Sequence, residues 1–365
     1  MGFNCGIIGL PNVGKSTIFN ALTSGTIAAE NYPFCTIEPN VGIVPVPDKR
    51  LDKLAALYAT QKIIPTTIEF VDIAGLVKGA SKGEGLGNQF LGHIREVDAV
   101  AHVVRCFEDP NVVHVDGAID PKNDIEVVET ELIIKDLDTL QRKMKETEGR
   151  ARSGDKKIKD EYDVYARLSE HFNSGRLAKY LEYEDEQHRE YVRQLHLLTD
   201  KPVMYIANVD EASVKTGNKY VDAVKEIASR EGARVVTVSG KIEAELSQLE
   251  NEERQVFLSD LGLTESGLER VIREGYSLLD LVTFFTAGPK EVHAWTVQAN
   301  TPAPRASAKI HTDFEKGFIR MEVIKYDDLI RLGSEQGVKD AGLLHVEGKD
   351  YLVADGDIVV VRFSV

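Results

Sequence analysis

One nine-residue stretch constrains this chain more than any other: Gly9-Leu10-Pro11-Asn12-Val13-Gly14-Lys15-Ser16-Thr17. It fits G-x-x-x-x-G-K-[ST] at every position. It follows a short apolar run, Phe3 to Gly9, that reads as a buried strand, and it opens a helical pattern from Ser16 to Leu22. The spacing has a physical purpose. Glycines let the backbone wrap around oxygen atoms, and the loop N–H groups, with the helix N-terminus, hold phosphates. The stretch therefore predicts a phosphate-binding loop in which Asn12, Val13, Gly14, Lys15, Ser16 and Thr17 contact a nucleotide. Lys15 would reach the β- and γ-phosphates, and the Ser16 hydroxyl would bind Mg2+.

Further apolar runs at Thr67 to Val71, Ala99 to Val104, Val203 to Ala207 and Ala233 to Val238 alternate with helical patterns or glycine-rich loops. That alternation predicts an α/β fold with a largely parallel sheet covered on both faces. It is interrupted from about Ile119 to His196. There Val128, Leu132, Ile133, Leu137 and Leu140 recur at helical spacing, and a break at Ser153-Gly154-Asp155 predicts an inserted helical hairpin. After about Leu279 the pattern changes to a small α+β module. Its expected strands are Val292 to Val297, Lys316 to Arg320 and Asp357 to Phe363, with one helix over Tyr326 to Leu332 and a loop over Gln298 to Ala306. The expected division is residues 1–118 with 197–278 as a nucleotide domain, 119–196 as the insert and 279–365 as the C-terminal module.

A second signal agrees with the first. Phe70-Val71-Asp72-Ile73-Ala74-Gly75 ends a strand on a carboxylate and then turns at glycine. In a phosphate-loop fold that is where an acid holds Mg2+ and a glycine senses the γ-phosphate. Between the two motifs Thr36 is placed to complete the Mg2+ shell as a switch threonine.

These motifs resemble the Obg group of translation-factor-like GTPases. Tyr32-Pro33-Phe34-Cys35-Thr36-Ile37-Glu38-Pro39, Asp72 to Ala80, Gly83 to Leu91 and Ile310-His311-Thr312-Asp313-Phe314-Glu315-Lys316-Gly317-Phe318-Ile319-Arg320 make the chain similar, over essentially its whole length, to the YchF/Obg-like ATPase family. The resemblance implies a P-loop NTPase domain of GTPase-like fold, an inserted helical coiled-coil hairpin and a C-terminal TGS domain, a ubiquitin-like β-grasp. It also implies a nucleotide hydrolase that associates with ribosomes.

Base choice separates this sequence from ordinary GTPases, which carry Asn-Lys-x-Asp after a late strand. Here the residues are Asn208-Val209-Asp210-Glu211. Val209 replaces the lysine whose stem packs on guanine, and Glu211 is a methylene too long for the usual carboxylate. The family pattern Asn-x-x-Glu goes with ATP. Asn208, Val209 and Glu211, with Ser239 in the following Ser239-Gly240-Lys241, form the expected base-side site. GTP stays open as the alternative, because Asp210 could accept guanine's donors if the loop slid by one residue.

Hydrolysis is expected to be intrinsically slow. Leu76 follows the Asp-x-x-Gly where many GTPases place a water-orienting glutamine. Among the histidines, His102 reads as core and His93 as a solvated position on a helix from Asn88 to Val97. His114, in a loop after a strand, is the catalytic candidate, against an equally weighted reading as a loop histidine without a role. Asn12 suggests that K+ supplies positive charge in place of an arginine finger. The glycine-dense segment Lys78 to Gly87 reads as a mobile switch.

Composition bounds the setting. With 42% hydrophobic and 28% charged residues, the 365-residue chain is neither disordered nor collagen-like, and two or three domains are expected. No apolar stretch reaches membrane-spanning length and the N-terminus lacks a secretory pattern, so a cytoplasmic protein is expected, with Cys5, Cys35 and Cys106 as free thiols. The net charge of −15 argues against coating nucleic acid with the whole surface. One local patch runs the other way: residues 142–159 carry eight Lys or Arg against three acids, 8 − 3 = +5, at the tip of the predicted hairpin. Such a run is either a solvated face or a contact for ribosomal RNA phosphates. Lys309, His311, Lys316 and Arg320 are weaker candidates for RNA contact. A ribosome-binding module in which nucleotide is mainly a conformational ligand is the other functional class.

Overall fold

The computed structural model describes residues 3–24, 40–73, 92–112, 118–151 and 155–364. From the N-terminus the chain runs β1 (Asn4–Ile8), α1 (Lys15–Ser24), β2 (Val41–Pro45), α2 (Lys49–Tyr58), β3 (Lys62–Ile64), β4 (Thr67–Asp72) and β5 (Ala99–Arg105). Next come α3 (Pro121–Ala151), α4 (Lys156–Asn173), α5 (Glu186–Arg193), β6 (Val203–Asn208), α6 (Lys219–Glu231), β7 (Arg234–Val238), α7 (Gly240–Leu246), α8 (Asn251–Asp260) and α9 (Gly267–Leu278). The remainder is β8 (Leu281–Ala287), β9 (Glu291–Gln298), α10 (Ala303–Ser307), α11 (Thr312–Lys316), β10 (Phe318–Lys325), α12 (Tyr326–Leu332), α13 (Glu335–Asp340), β11 (His345–Glu347) and β12 (Asp357–Phe363).

Two compact units result, one from Met1–Ile43 with Glu69–Gly275, the other from Val44–Ile68 with Tyr276–Val365. The first is built on a sheet of order β2-β4-β1-β5-β6-β7, in which β4/β1, β1/β5, β5/β6 and β6/β7 pair in parallel. All seven residues of β5 are buried, as expected for a central strand covered on both faces. Because the strands are parallel, their C-terminal ends line up along one edge. The phosphate loop, Asp72, Arg105, Asn208 and Ser239 all follow from those ends, where doubly wound folds place ligands.

Within this unit residues 121–193 are largely helical. α3 spans 31 residues, about 46 Å of helix. Leu140 of α3 packs with Val164, Leu168 and Phe172 of α4 and with Tyr191 and Val192 of α5 in one apolar cluster. The return to the sheet is fixed by Asp136, fully buried, which accepts from Leu198 N, Thr199 N and Thr199 Oγ1 at 2.9, 2.8 and 2.7 Å. Burial pushes the Asp136 carboxyl up, while those donors pull it down.

The second unit departs from the expected boundary. Residues 44–68, expected within the nucleotide domain, belong to it. The amphipathic helix α2 buries Leu51 and Leu54 against Phe285, Val292, Ile324 and Ile358. β3 adds in parallel to β9 as an edge strand. Arg50 holds the connection with ion pairs to Asp48 and Asp355 at 2.7 and 2.6 Å. The sequence reading singled out no element in this stretch, and nothing local says which sheet covers Leu51 and Leu54. The mixed sheet has order β11-β10-β12-β8-β9-β3 and a second apolar layer on its other face, where Ala303 and Ala306 of α10 meet Phe284, Met321 and Val359. β8 and β11 were not anticipated. The second expected strand begins at Phe318, since Lys316 closes α11, and the expected loop contains the start of α10.

Candidate functional site

The phosphate loop turns between β1 and α1 through two left-handed residues, Asn12 at φ 63° and Gly14 at φ 89°. A Cβ on Gly14 would run into the Asn208 amide, so this glycine is required by both conformation and space. Gly9 is equally confined: its Cβ would lie 2.7 Å from the Val103 carbonyl oxygen. Val13 is buried and Ser16 and Thr17 are exposed at the helix start, their hydroxyls open to a ligand. Lys15 is buried at 8% exposure and forms an ion pair with Asp72 at the end of β4.

Asn208, 4% exposed at the end of β6, ties this loop to the next one. Its Nδ2 donates to the Val13 carbonyl at 2.8 Å, and its Oδ1 accepts from Gly240 N at 2.9 Å. Val209 is buried at 3% exposure, and its N–H bonds to Val238 O at 2.8 Å. The Asp210 carboxylate accepts from Ser213 N at 2.8 Å, capping the short helical turn Glu211–Ser213. Glu211 pairs with Lys241 at 2.8 Å. Ser239 is fully buried, and although it sits at the N-cap of α7 its hydroxyl makes no cap bond. That Oγ is buried with no hydrogen-bond partner in the structure.

These residues border a cavity of about 610 Å³ lined by Asn12, Gly14 and Thr17 and by Val209, Asp210, Glu211, Ser239 and Lys241. Phe107, Glu108, Asp109 and Val112 supply a further wall that the sequence reading missed. Glu108 accepts from the Tyr220 hydroxyl at 2.6 Å, which with nearby Lys219 lowers its pKa below the ordinary value. The size suits a drug-sized or nucleotide-sized ligand. Its lining combines Asn12, Gly14 and Thr17 of the phosphate loop and helix start with the acids Glu108, Asp109, Asp210 and Glu211 and with Lys241.

Three expected site residues, Thr36, Gly75 and His114, lie outside the described residues, as do Leu76, Cys35 and the glycine-dense segment. His102 is a core residue, as read: it is 3% exposed, and burial lowers its pKa to about 4. His93 is exposed on a helical stretch over 92–96. Cys5 and Cys106 are free and buried, and burial pushes both thiols up to about 12. Among the described residues no cluster of three or more His, Cys, Asp or Glu is arranged for a metal, and no helix is long and apolar enough to cross a membrane.

A family model described as a 50S ribosome-binding GTPase matches residues 4–150. Another, for the C-terminal region of YchF GTPases and described as a protein of unknown function, matches residues 281–364. The chain is 57% identical to a protein of Haemophilus ducreyi named ribosome-binding ATPase YchF, covering 100% of both chains. Proteins of the same name from Escherichia coli O157:H7 and Bacillus subtilis are 54% and 51% identical, again over 100% of both. The solved structure of the Schizosaccharomyces pombe YchF GTPase superposes with a TM-score of 0.88 at 34% identity, covering 99% of this chain and 98% of that one. Similarity of this depth, running from the phosphate loop through the helical excursion to the second sheet, places the chain in the YchF family.

Proposed function

We propose that this chain is a Mg2+-dependent nucleotide hydrolase that takes ATP in preference to GTP, turns it over slowly to ADP and phosphate, and acts as a translation-linked switch on the ribosome. The matches divide over the base: the curated relatives are named ATPases, the S. pombe structure and the N-terminal family model GTPases. The observation that carries the choice is what the carboxylates at the base end already do. Asp210 already accepts from Ser213 N and Glu211 is paired with Lys241, so each has part of its acceptor capacity in use. A guanine site needs a carboxylate free to accept two donors, which adenine does not present. Val209 closes the apolar side of the site, and the buried, unbonded Ser239 hydroxyl supplies a neutral polar contact that can donate or accept.

Charge sets the orientation. Phosphates go to the loop, Lys15 and the α1 N-terminus, and the acids Glu108, Asp109, Asp210 and Glu211 that also line the cavity disfavour them. The donor set for the metal is hard oxygen, from the exposed Ser16 hydroxyl and the Asp72 carboxylate, with Thr36 as the third protein ligand in this reading. That fits Mg2+, which is usually held by one or two carboxylates with substrate phosphates rather than by an all-protein cage. When bound, Mg2+ neutralises charge developing on the phosphoryl oxygens. Gly75 is assigned to sensing the γ-phosphate, His114 to positioning water and Asn12 to a K+ ion. Leu76 is the reason for a slow intrinsic rate.

The relatives' name supports the ribosome as partner. The exposed side chains of Arg142, Lys145, Arg150, Lys156, Lys157 and Lys159 offer phosphate contacts at the end of the helical insert. We assign the mixed sheet of the second unit as the TGS-like β-grasp module, and the cytoplasm as the place of action. Equilibrium titration with fluorescent ATP and GTP analogues in Mg2+ tests the core of this. A preference for ATP of about tenfold or more supports it. Preference for GTP means that Asp210 reads guanine, and binding of neither removes the phosphate-loop assignment.

A further inference from the structure

Arg105 is the largest fully buried side chain among the described residues, and it ends the wholly buried strand β5. A guanidinium is costly to bury unless its donors are satisfied. Here the partners are all main-chain carbonyls of the segment that follows: Nε donates to Phe107 O at 3.2 Å, Nη2 to Asp109 O at 3.3 Å and Nη1 to Val112 O at 3.0 Å. Its Cζ also lies 4.7 Å from the centre of the Phe107 ring. This segment has no helix or strand of its own. At its start, Cys106 is anchored by its N–H to Asn208 O and by its carbonyl to Asn218 Nδ2, both at 2.8 Å.

The same segment supplies Phe107, Glu108, Asp109 and Val112 to the cavity wall. We infer that Arg105 is a positioning residue for the nucleoside: from behind, its guanidinium sets the shape of the 107–112 wall that receives the base, without touching the nucleotide itself. A planar fork spreads five donors over three nitrogens and reaches three diverging carbonyls at once, whereas an ammonium has its donors on one atom and an apolar side chain has none. The inference rests on this cavity being the nucleoside site proposed above.

The test compares wild type, Arg105→Lys and Arg105→Met in Mg2+, using whichever of ATP and GTP the wild type binds more tightly, and inorganic tripolyphosphate as a probe of the phosphate loop alone. Affinity for the nucleoside triphosphate is expected to fall by about tenfold or more in both variants while tripolyphosphate binding stays within about twofold. Equal losses for the two ligands, or no loss, overturn the inference. Hydrogen exchange on the wild type tests it without a variant: the nucleoside triphosphate should slow exchange at residues 107–112 and tripolyphosphate should not, and equal protection overturns it. Failure of the function and of this inference are distinguishable. A wild type that binds tripolyphosphate but neither nucleotide defeats both, whereas a wild type that discriminates and an Arg105→Lys that matches it defeats only the inference.

Discussion

The Asn208 side chain donates to the Val13 carbonyl at 2.8 Å, joining the end of β6 to the phosphate loop across a separation of 195 residues. With its other atom it accepts from Gly240 N. One buried amide thus fixes the loop that holds phosphates relative to the loop that holds the base. Replacing Asn208 with Ala leaves a buried carbonyl and a buried N–H unpaired, which should cost about 2 kcal/mol or more of stability. Nucleotide affinity should fall further than that of a surface control, because both loops lose their shared anchor. Asn208→Asp should be no milder, since a carboxylate can still accept from Gly240 but faces the Val13 oxygen without a proton to give. Thermal melting with nucleotide titration reads both effects, and a stable variant with wild-type affinity would refute this role.

Gly14 lies against that amide from the other side. At φ 89° an L side chain is strained, and a Cβ would also displace Asn208. Gly14→Ala should therefore abolish measurable nucleotide binding while the second unit, which has its own two-sided core, stays folded. Nucleotide titration together with circular dichroism checks this. Binding within about twofold of wild type would mean that the loop tolerates another path.

Lys15 and Asp72 are partners in this structure, yet the proposed mechanism gives each a different one, phosphate for the lysine and Mg2+ for the carboxylate. Asp72→Ala should separate the two roles. The gain in triphosphate affinity from adding Mg2+ should shrink by about tenfold or more. In EDTA, affinity should hold or rise, because Lys15 no longer has to leave a carboxylate. Paired titrations in Mg2+ and EDTA measure this. An undiminished Mg2+ effect would remove Asp72 from the metal site.

How much of this was legible beforehand depended on whether the signal was local. Gly9 to Thr17 and Asn208 to Glu211 are short motifs after strands, and both supply residues to the cavity lining. Ser239 could be placed by order along the chain, though not its unbonded hydroxyl. The 107–112 wall was invisible because Arg105 binds main-chain carbonyls, which every residue possesses. Leu51 and Leu54 are covered by Phe285 and Ile358, over 200 residues away, a pairing that nothing local signals. β8 was missed for a related reason. In Leu281 to Ala287 the two polar residues, Thr283 and Thr286, are three apart, without the period-two alternation that marks a half-exposed strand.

A partly buried acid cluster lies where the insert meets the sheet. The Tyr205 hydroxyl bonds to Glu231 at 2.9 Å and to Glu129 of α3 at 3.4 Å, and Lys179 pairs with Glu231 at 3.3 Å. Burial, and then the neighbouring Glu231, raise the Glu129 carboxyl well above the usual carboxylate range. The folded state therefore holds a proton that the unfolded chain releases near pH 4.3, so stability contributed at this site is lost as pH rises above about that value. Glu129→Gln, permanently neutral, should be more stable than wild type by roughly 1–2 kcal/mol at about pH 8, with the advantage fading towards about pH 5. Denaturant midpoints at the two pH values decide it. A difference independent of pH would mean that the carboxyl does not titrate in this window.

The insert's basic end makes a prediction about the partner. Lys156 and Lys157 open α4 beside the Asp155 cap and are exposed, so charge reversal there should leave the apolar packing of Val164, Leu168 and Phe172 intact. If these lysines meet ribosomal RNA phosphates, Lys156→Glu with Lys157→Glu should weaken ribosome binding, and the slope of log affinity against log salt should fall by about one for each phosphate no longer neutralised. Binding of free ATP should not change, because neither residue borders the cavity. A solvated face would behave differently: ribosome affinity and its salt slope would both match wild type. Sedimentation with ribosomes over a salt series distinguishes the two, and weaker binding with an unchanged slope would place the effect in the fold of the insert rather than in phosphate neutralisation.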